Sequence, residues 1–230
     1  MRRLVRALST LLLAGGVGLL GWALLVWQWQ DPFTYLLMQR EQRALAQRYE
    51  ERLAAYRPST QGVAASVATV AAEARRYRLA SGRGEAIARL RVPKLDLNLV
   101  VVNGTDKQTL KTGPGRHLST FMPGEGELSY VAGHRTTYGA PFSHIDKLKR
   151  GDRVTVQLPY ARFEYAVTGR RIVPATYVQA LESRGREELA LQACWPRFFA
   201  SQRIIVYAKP VKVTPRGAKR GTRVAADADG

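Results

Sequence analysis

Cysteine is almost absent from this chain of 230 residues, where Cys194 stands alone. One thiol excludes an intramolecular disulfide and every zinc site built from clustered cysteines. Histidine is nearly as scarce, with three in total, and Asp and Glu number 18 against 36 Lys and Arg. No acidic cluster of the kind that holds calcium stands out in the strand-rich region. No internal repeat recurs, and no second apolar run long enough to cross a bilayer follows the first. A lone thiol in an exported protein is a candidate reactive group; in a cytosolic protein it is more often a small buried hydrophobe. The compartment therefore decides how Cys194 is read.

The N-terminus speaks to that question. Arg2, Arg3 and Arg6 precede a stretch from about Leu8 to Trp29 that carries no charge. A bilayer core takes roughly 20 apolar residues, so the stretch is long enough to span. Trp22, Trp27 and Trp29 crowd its far end, as an interfacial aromatic belt does. A cleaved signal peptide has a shorter apolar core and a small-residue cleavage site. Here Trp-Gln-Trp-Gln-Asp-Pro follows instead, which favours an uncleaved, single-pass anchor. Arg40, Arg43 and Arg48 weaken the positive-inside asymmetry, but the bulk of the chain lies after the span, giving an N-in, C-out expectation.

The formal charge of +18 raises nucleic acid as a partner. The basic residues are dispersed, however, and no zinc finger, RNA-binding aromatic signature or base-reading helix accompanies them. Nucleic acid is therefore not expected as a partner. Anionic lipid or an anionic envelope polymer suits such a field equally well.

Four zones follow along the chain. Residues 1–30 are a cytoplasmic N-terminus and transmembrane anchor. Residues 31–84 are rich in Ala, Arg, Gln and Glu, with Leu45, Tyr49, Leu53 and Tyr56 at helical spacing, and read as a helical stalk or linker broken at Pro58–Gly62. Residues 85–213 are mainly β. Strands are expected at Ala86–Val92, Leu97–Val102, Leu128–Ala132, Arg153–Leu158, Arg162–Thr168, Leu189–Ala193 and Arg203–Ala208. Short helical pieces are expected at Asp106–Lys111 and Ser143–Lys149. Strands at this spacing point to a closed or nearly closed β-barrel. Residues 214–230 are expected to be a disordered tail.

Three residue types then converge. Cys194 ends one strand-like run, Arg203 opens the next, and His134 ends a third, Leu128-Ser-Tyr-Val-Ala-Gly-His134. If the runs before and after the Cys194–Arg203 loop pair, thiol and guanidinium reach the same barrel rim. A thiolate is the nucleophile, and a free thiol with a pKa of about 8.5 needs a lowered pKa or a base. An imidazole supplies the base and later the acid. A guanidinium stays charged and can hold an oxyanion or the substrate carbonyls.

The segment Val131-Ala-Gly-His-Arg-Thr-Thr-Tyr-Gly-Ala-Pro-Phe142 closely resembles the histidine motif of sortases, nearest to the class E housekeeping group of actinobacteria. Arg91-Val-Pro-Lys, Val102-Asn-Gly-Thr105, Leu110-Lys-Thr-Gly-Pro-Gly115, Leu148-Lys-Arg-Gly-Asp152 and Cys194-Trp-Pro-Arg-Phe resemble that family in order, over about residues 85–210. The resemblance implies a closed eight-stranded barrel and a cysteine transpeptidase without metal or organic cofactor. Such enzymes cut a Leu-Ala/Pro-x-Thr-Gly-like sorting signal of secreted proteins between Thr and Gly. The thioester is resolved by an amine of a peptidoglycan precursor such as lipid II. By this resemblance Cys194 is the nucleophile, His134 the general acid/base and Arg203 the oxyanion or positioning arginine. Tyr138 and Ala193 become candidate substrate contacts, while His117 and His144 match nothing catalytic.

Two departures stand out. The family's Thr-Leu-x-Thr-Cys appears as Ala190-Leu-Gln-Ala-Cys194, which removes two hydroxyls, and Trp195 follows where class E relatives often carry histidine. Asp31-Pro-Phe33 is similar to the lid motif of pilin-polymerising sortases, but it abuts the membrane span. A pilin polymerase and a non-catalytic envelope-binding module on the same barrel remain the alternatives.

Overall fold

The computed structural model of the protein describes residues 2–28, 32–59, 67–218 and 222–224. Trp29, Asp31, most of the break at Pro58–Gly62 and the chain's last six residues lie outside this range. Helix α1 (Arg2–Gln28) is long and apolar enough over Arg2–Leu24 to cross a membrane. Helix α2 spans Pro32–Ala55, with proline in its first turn where no N–H is missed, and α3 spans Val67–Ala80.

The remaining elements are β1 (Ala86–Val92), β2 (Leu97–Asn103), α4 (Lys107–Thr112), β3 (Gly115–Arg116), β4 (Leu128–Ala132), β5 (Arg153–Gln157), β6 (Ala161–Pro174), β7 (Glu188–Trp195), β8 (Gln202–Pro215) and β9 (Thr222–Arg223). The expected strands are all present. The expected helical piece at Ser143–Lys149 is a single 3-10 turn, Ile145–Lys147. Asp106 caps α4 by accepting from the N–H groups of Gln108 and Thr109, as an N-cap carboxylate does.

The sheet runs β6-β5-β1-β2-β3-β4-β7-β8, and pairing of β6 with β8 closes it into an eight-stranded barrel. Most pairings are antiparallel; β2 with β3 and β4 with β7 are parallel. Alternation explains the inner wall. Along β6, Ala161, Phe163, Tyr165 and Val167 point inward, and along β5 Val154 and Val156 do. They join Leu90, Phe142, Leu191, Ile204 and Val206 in one core. The two-residue β3 is too short to carry a period of its own, yet without it β2 and β4 would not meet.

Two features of the described residues differ from the expectation. Within residues 31–84, helices α2 and α3 pack against the barrel instead of standing apart from it as a stalk. Along α2, Met38, Gln42, Leu45 and Tyr49 are buried at helical spacing. Gln42 satisfies the N–H of Val100 at 2.7 Å and the carbonyl of Thr112 at 2.8 Å, and Tyr49 donates to the carbonyl of Gln157 at 2.8 Å. From α3, Val70, Ala74 and Tyr77 enter the barrel's own core, and Tyr77 donates to the carbonyl of Ile87. A polar glutamine in the stripe and alanine-rich faces disguise the packing surface in the sequence. The expected tail also begins too early: β8 continues to Pro215, and β9 pairs Arg223 with Lys212 and Thr222 with Val213.

Burying a large apolar side chain is worth ~1.5–3 kcal/mol. Four or more such groups come from α2 and α3, a sum comparable with the roughly 5–15 kcal/mol that holds a domain folded. A fragment of residues 85–218 is therefore expected to melt at least about 10 °C below one of residues 32–224. Equal melting temperatures by circular dichroism would show that the two helices add nothing to the barrel.

Candidate active site

The antiparallel register of β7 and β8 places Cys194 directly opposite Arg203. On the other side of β7, the parallel strand β4 aligns Ala132 with Gln192, and the N–H of Gly133 continues that ladder to the carbonyl of Gln192 at 2.9 Å. The next residue is His134. Three neighbouring strands thus deliver His134, Cys194 and Arg203 to one rim, where they line a cleft of about 300 Å³. Tyr130, Val173, Tyr177 and Ile205 supply much of its apolar wall. A larger groove of about 470 Å³ between α2 and the barrel contains none of the three residues.

Local packing fixes the histidine loop. The carbonyl of His134 accepts from the N–H of Phe142 at 3.0 Å, folding the loop back on itself. Only glycine fits at 133, since a Cβ there would lie 2.6 Å from the Phe142 ring. Gly139 adopts φ +67 beneath α2, where a Cβ would meet the Met38 methyl at 2.4 Å. Helix α2 therefore touches the loop that carries the imidazole.

His134 is half-buried, and its Nδ1 lies 3.2 Å from the hydroxyl of Thr137. Burial disfavours the imidazolium and pushes its pKa below the usual 6.5. The imidazole is thus neutral around pH 7. Cys194 is partly exposed at the cleft. In Arg203, Nη1 donates to the carbonyls of Ala200 at 2.7 Å and Gln202 at 2.8 Å. These bonds hold the guanidinium at the strand end, where Arg203 lines the cleft. A thiol, a neutral imidazole and a guanidinium are groups that can serve as nucleophile, base and fixed positive charge.

The two further candidates fare differently. Tyr138 packs its ring on His134 at a centroid distance of 5.0 Å and is not among the residues lining the cleft. Ala193 is fully buried in the barrel core, because strand alternation turns it away from the face shared by Gln192 and Cys194. Its methyl has no access to a ligand in the cleft. Ala190 lies on the other side of β7, packed with Tyr130, Val173, Ala180 and Ile205 beneath the cleft floor. His117, without a catalytic match in the sequence, lines the cleft and bonds the Ser119 hydroxyl through Nδ1 at 2.8 Å. Its place follows from β3, the strand that sequence periodicity does not reveal. Arg135 is the other residue the sequence reading passes over. It is 3% exposed and donates from Nη1 to the carbonyl of Cys194 at 3.3 Å.

A closed barrel carrying a thiol, an imidazole and a guanidinium on one rim defines the class of protein. A family model described as the sortase domain matches residues 90–211, and the chain belongs to the sortase family. Sortase D of Bacillus subtilis (strain 168) is 32% identical over 133 residues, covering 56% of this chain and 65% of that protein. Sortase SrtE1 of Streptomyces coelicolor is 32% identical over 151 residues, covering 58% of this chain and 42% of that protein. The chain thus spans less than two thirds of either relative's length. Among solved structures, sortase E1 from Streptomyces coelicolor, with a tripeptide in its active site, superposes with TM-score 0.56 at 27% identity, covering 61% of this chain and 97% of that one. Sortase E from Streptomyces avermitilis does so with TM-score 0.54 at 31% identity, covering 60% and 96%.

The lowered pKa makes a direct prediction. NMR of the histidine ring protons, with His134→Ala assigning the resonance, should give a midpoint for His134 below 6.5. A midpoint above that value would mean that a counter-charge, not burial, governs the imidazole.

Proposed function

We propose that this protein is a membrane-anchored cysteine transpeptidase of the class E type. It cleaves a Leu-Ala/Pro-x-Thr-Gly-like sorting signal between Thr and Gly and passes the acyl group to an amine of a cell-wall precursor. The observation that carries this reading is the cross-strand pair of Cys194 and Arg203, with His134 delivered beside them by the parallel neighbour of the same strand. α1 holds the enzyme in the membrane, with the barrel on the extracellular side, where secreted substrates and lipid-linked precursors meet.

The chemistry follows from the residues. A sorting peptide lies in the cleft with its scissile carbonyl carbon against Cys194 Sγ. Neutral His134 takes the thiol proton as sulfur attacks, and Thr137 at Nδ1 leaves Nε2 for that transfer. Charge develops on the carbonyl oxygen, where Arg203 is placed to stabilise it more than the uncharged ground state. Collapse breaks the C–N bond, His134 returns the proton to the departing glycine amine, and a thioester remains on Cys194. The acceptor amine repeats the sequence in reverse: His134 removes its proton, and the thiol leaves with one. The apolar wall of Val173 and Ile205 excludes water, which favours the amine over hydrolysis.

The test is turnover of a Leu-Ala-x-Thr-Gly peptide library by the full chain, with and without an amine acceptor, read by product mass. Cleavage between Thr and Gly, with a ligated product when amine is present, is expected. Replacing Arg203 by Ala should cost about 10²–10³-fold in kcat, the usual loss for an oxyanion donor. Wild-type kcat in Arg203→Ala, or a folded chain that processes none of the peptides, would contradict the reading.

A further inference from the structure

Arg135 follows His134 directly, yet its side chain is 3% exposed in a protein whose other arginines are mostly at the surface. A buried guanidinium is costly unless its charge and its donors are met. Here Nη2 pairs with Asp146 Oδ1 at 2.8 Å, Nη1 donates to the carbonyl of Cys194 at 3.3 Å, and Nε donates to the carbonyl of Ser143 at 3.4 Å. The plane of the group also covers the Trp195 ring, 4.3 Å from its centroid. One side chain thereby joins the loop that carries His134, the strand end that carries Cys194, and the 3-10 turn that carries Asp146. Its own backbone is bonded to His134, and its fork holds the residue that bears the thiol.

Nothing else among the described residues links the two candidate catalytic positions through a side chain in this way. The planar fork matters, because two donors at a fixed angle set a distance that a flexible ammonium does not. We propose that Arg135, locked by Asp146, is a positioning residue that sets the separation of the His134 imidazole and the Cys194 thiol. The proposal rests on the transpeptidase reading above. Trp195, where class E relatives often carry histidine, gains a role in the same assembly: its ring forms the lid over the guanidinium.

The test uses the full chain in detergent micelles, comparing wild type with Arg135→Lys and Asp146→Asn. Three quantities are read: kcat and KM for a Leu-Ala-x-Thr-Gly peptide, the melting temperature, and the rate of Cys194 alkylation by iodoacetamide with and without His134→Ala. Arg135→Lys is expected to lose roughly 10–100-fold in kcat while KM moves less than about threefold, since a misplacement near 1 Å costs on that order. His134→Ala should change the alkylation rate severalfold in the wild-type background and less than about twofold in Arg135→Lys, the loss of coupling that a double-mutant cycle reads. Should Arg135→Lys not fold, Asp146→Asn, which keeps the acceptor oxygen and removes the charge, decides by the same measurements with a smaller kcat loss. The proposal is overturned by wild-type kcat in a folded variant, by a kcat loss that only tracks the unfolded fraction, or by an equal His134→Ala effect in both backgrounds. The alkylation arm needs no sorting peptide. A wild type that turns over no peptide would sink the transpeptidase reading, and the His134 coupling would still decide the role of Arg135.

Discussion

The register between β7 and β8 is the constraint on which the site depends. A slip of one residue would turn every side chain of β7 to the opposite face. Cys194 would then enter the barrel core and Ala193 would face the cleft. The register is held from both sides, by β4 in parallel and by the long pairing of β8 with β6 that closes the barrel. Leu189, Leu191 and Ala193 fill the core from one face of β7, so the hydrophobic term that stabilises the barrel also aims the thiol outward. Stability and site geometry share one cause.

The helices α2 and α3 extend that dependence toward the N-terminus. α2 binds the β2 backbone through Gln42 and presses Met38 on Gly139, inside the loop that bears His134 and Arg135. α3 plugs the barrel with Val70, Ala74 and Tyr77. The barrel, α2 and α3 therefore form one packed unit. At the end of β7 remote from the thiol, the Glu187 carboxylate accepts from Tyr165 and from the N–H groups of Gly124 and Gly126, and burial raises its pKa to about 7. That end of the strand is sealed by internal hydrogen bonds.

Much of this was legible in the sequence, for physical reasons that can be named. Strands such as β1 and β4 were readable because β-branched and aromatic residues are bounded there by turn formers. The pairing of Cys194 with Arg203 is legible because a short loop between two strands brings their loop-facing ends side by side. What was hidden shares a different character. β3 is two residues long, and no period can be read from it, so the place of His117 stayed obscure. The helix packing was disguised by Gln42, a buried polar residue whose partners are backbone groups remote in sequence. Ala193 stands next to the cysteine in the family motif, yet the two-residue alternation along β7 turns it into the core. Nothing in the sequence singles out Arg135, since burial of a charge is a tertiary fact that depends on Asp146 eleven residues on.

The central claim is that Cys194 becomes acylated by a sorting peptide while Arg203 and His134 attend it. The most direct measurement is intact-protein mass spectrometry of the full chain, quenched in acid during turnover of a Leu-Ala-x-Thr-Gly peptide. A mass increase equal to the acyl fragment ending in Thr, located on Cys194 and absent from Cys194→Ala, is the predicted result. Turnover with no such adduct, or an adduct that persists in Cys194→Ala, would contradict it.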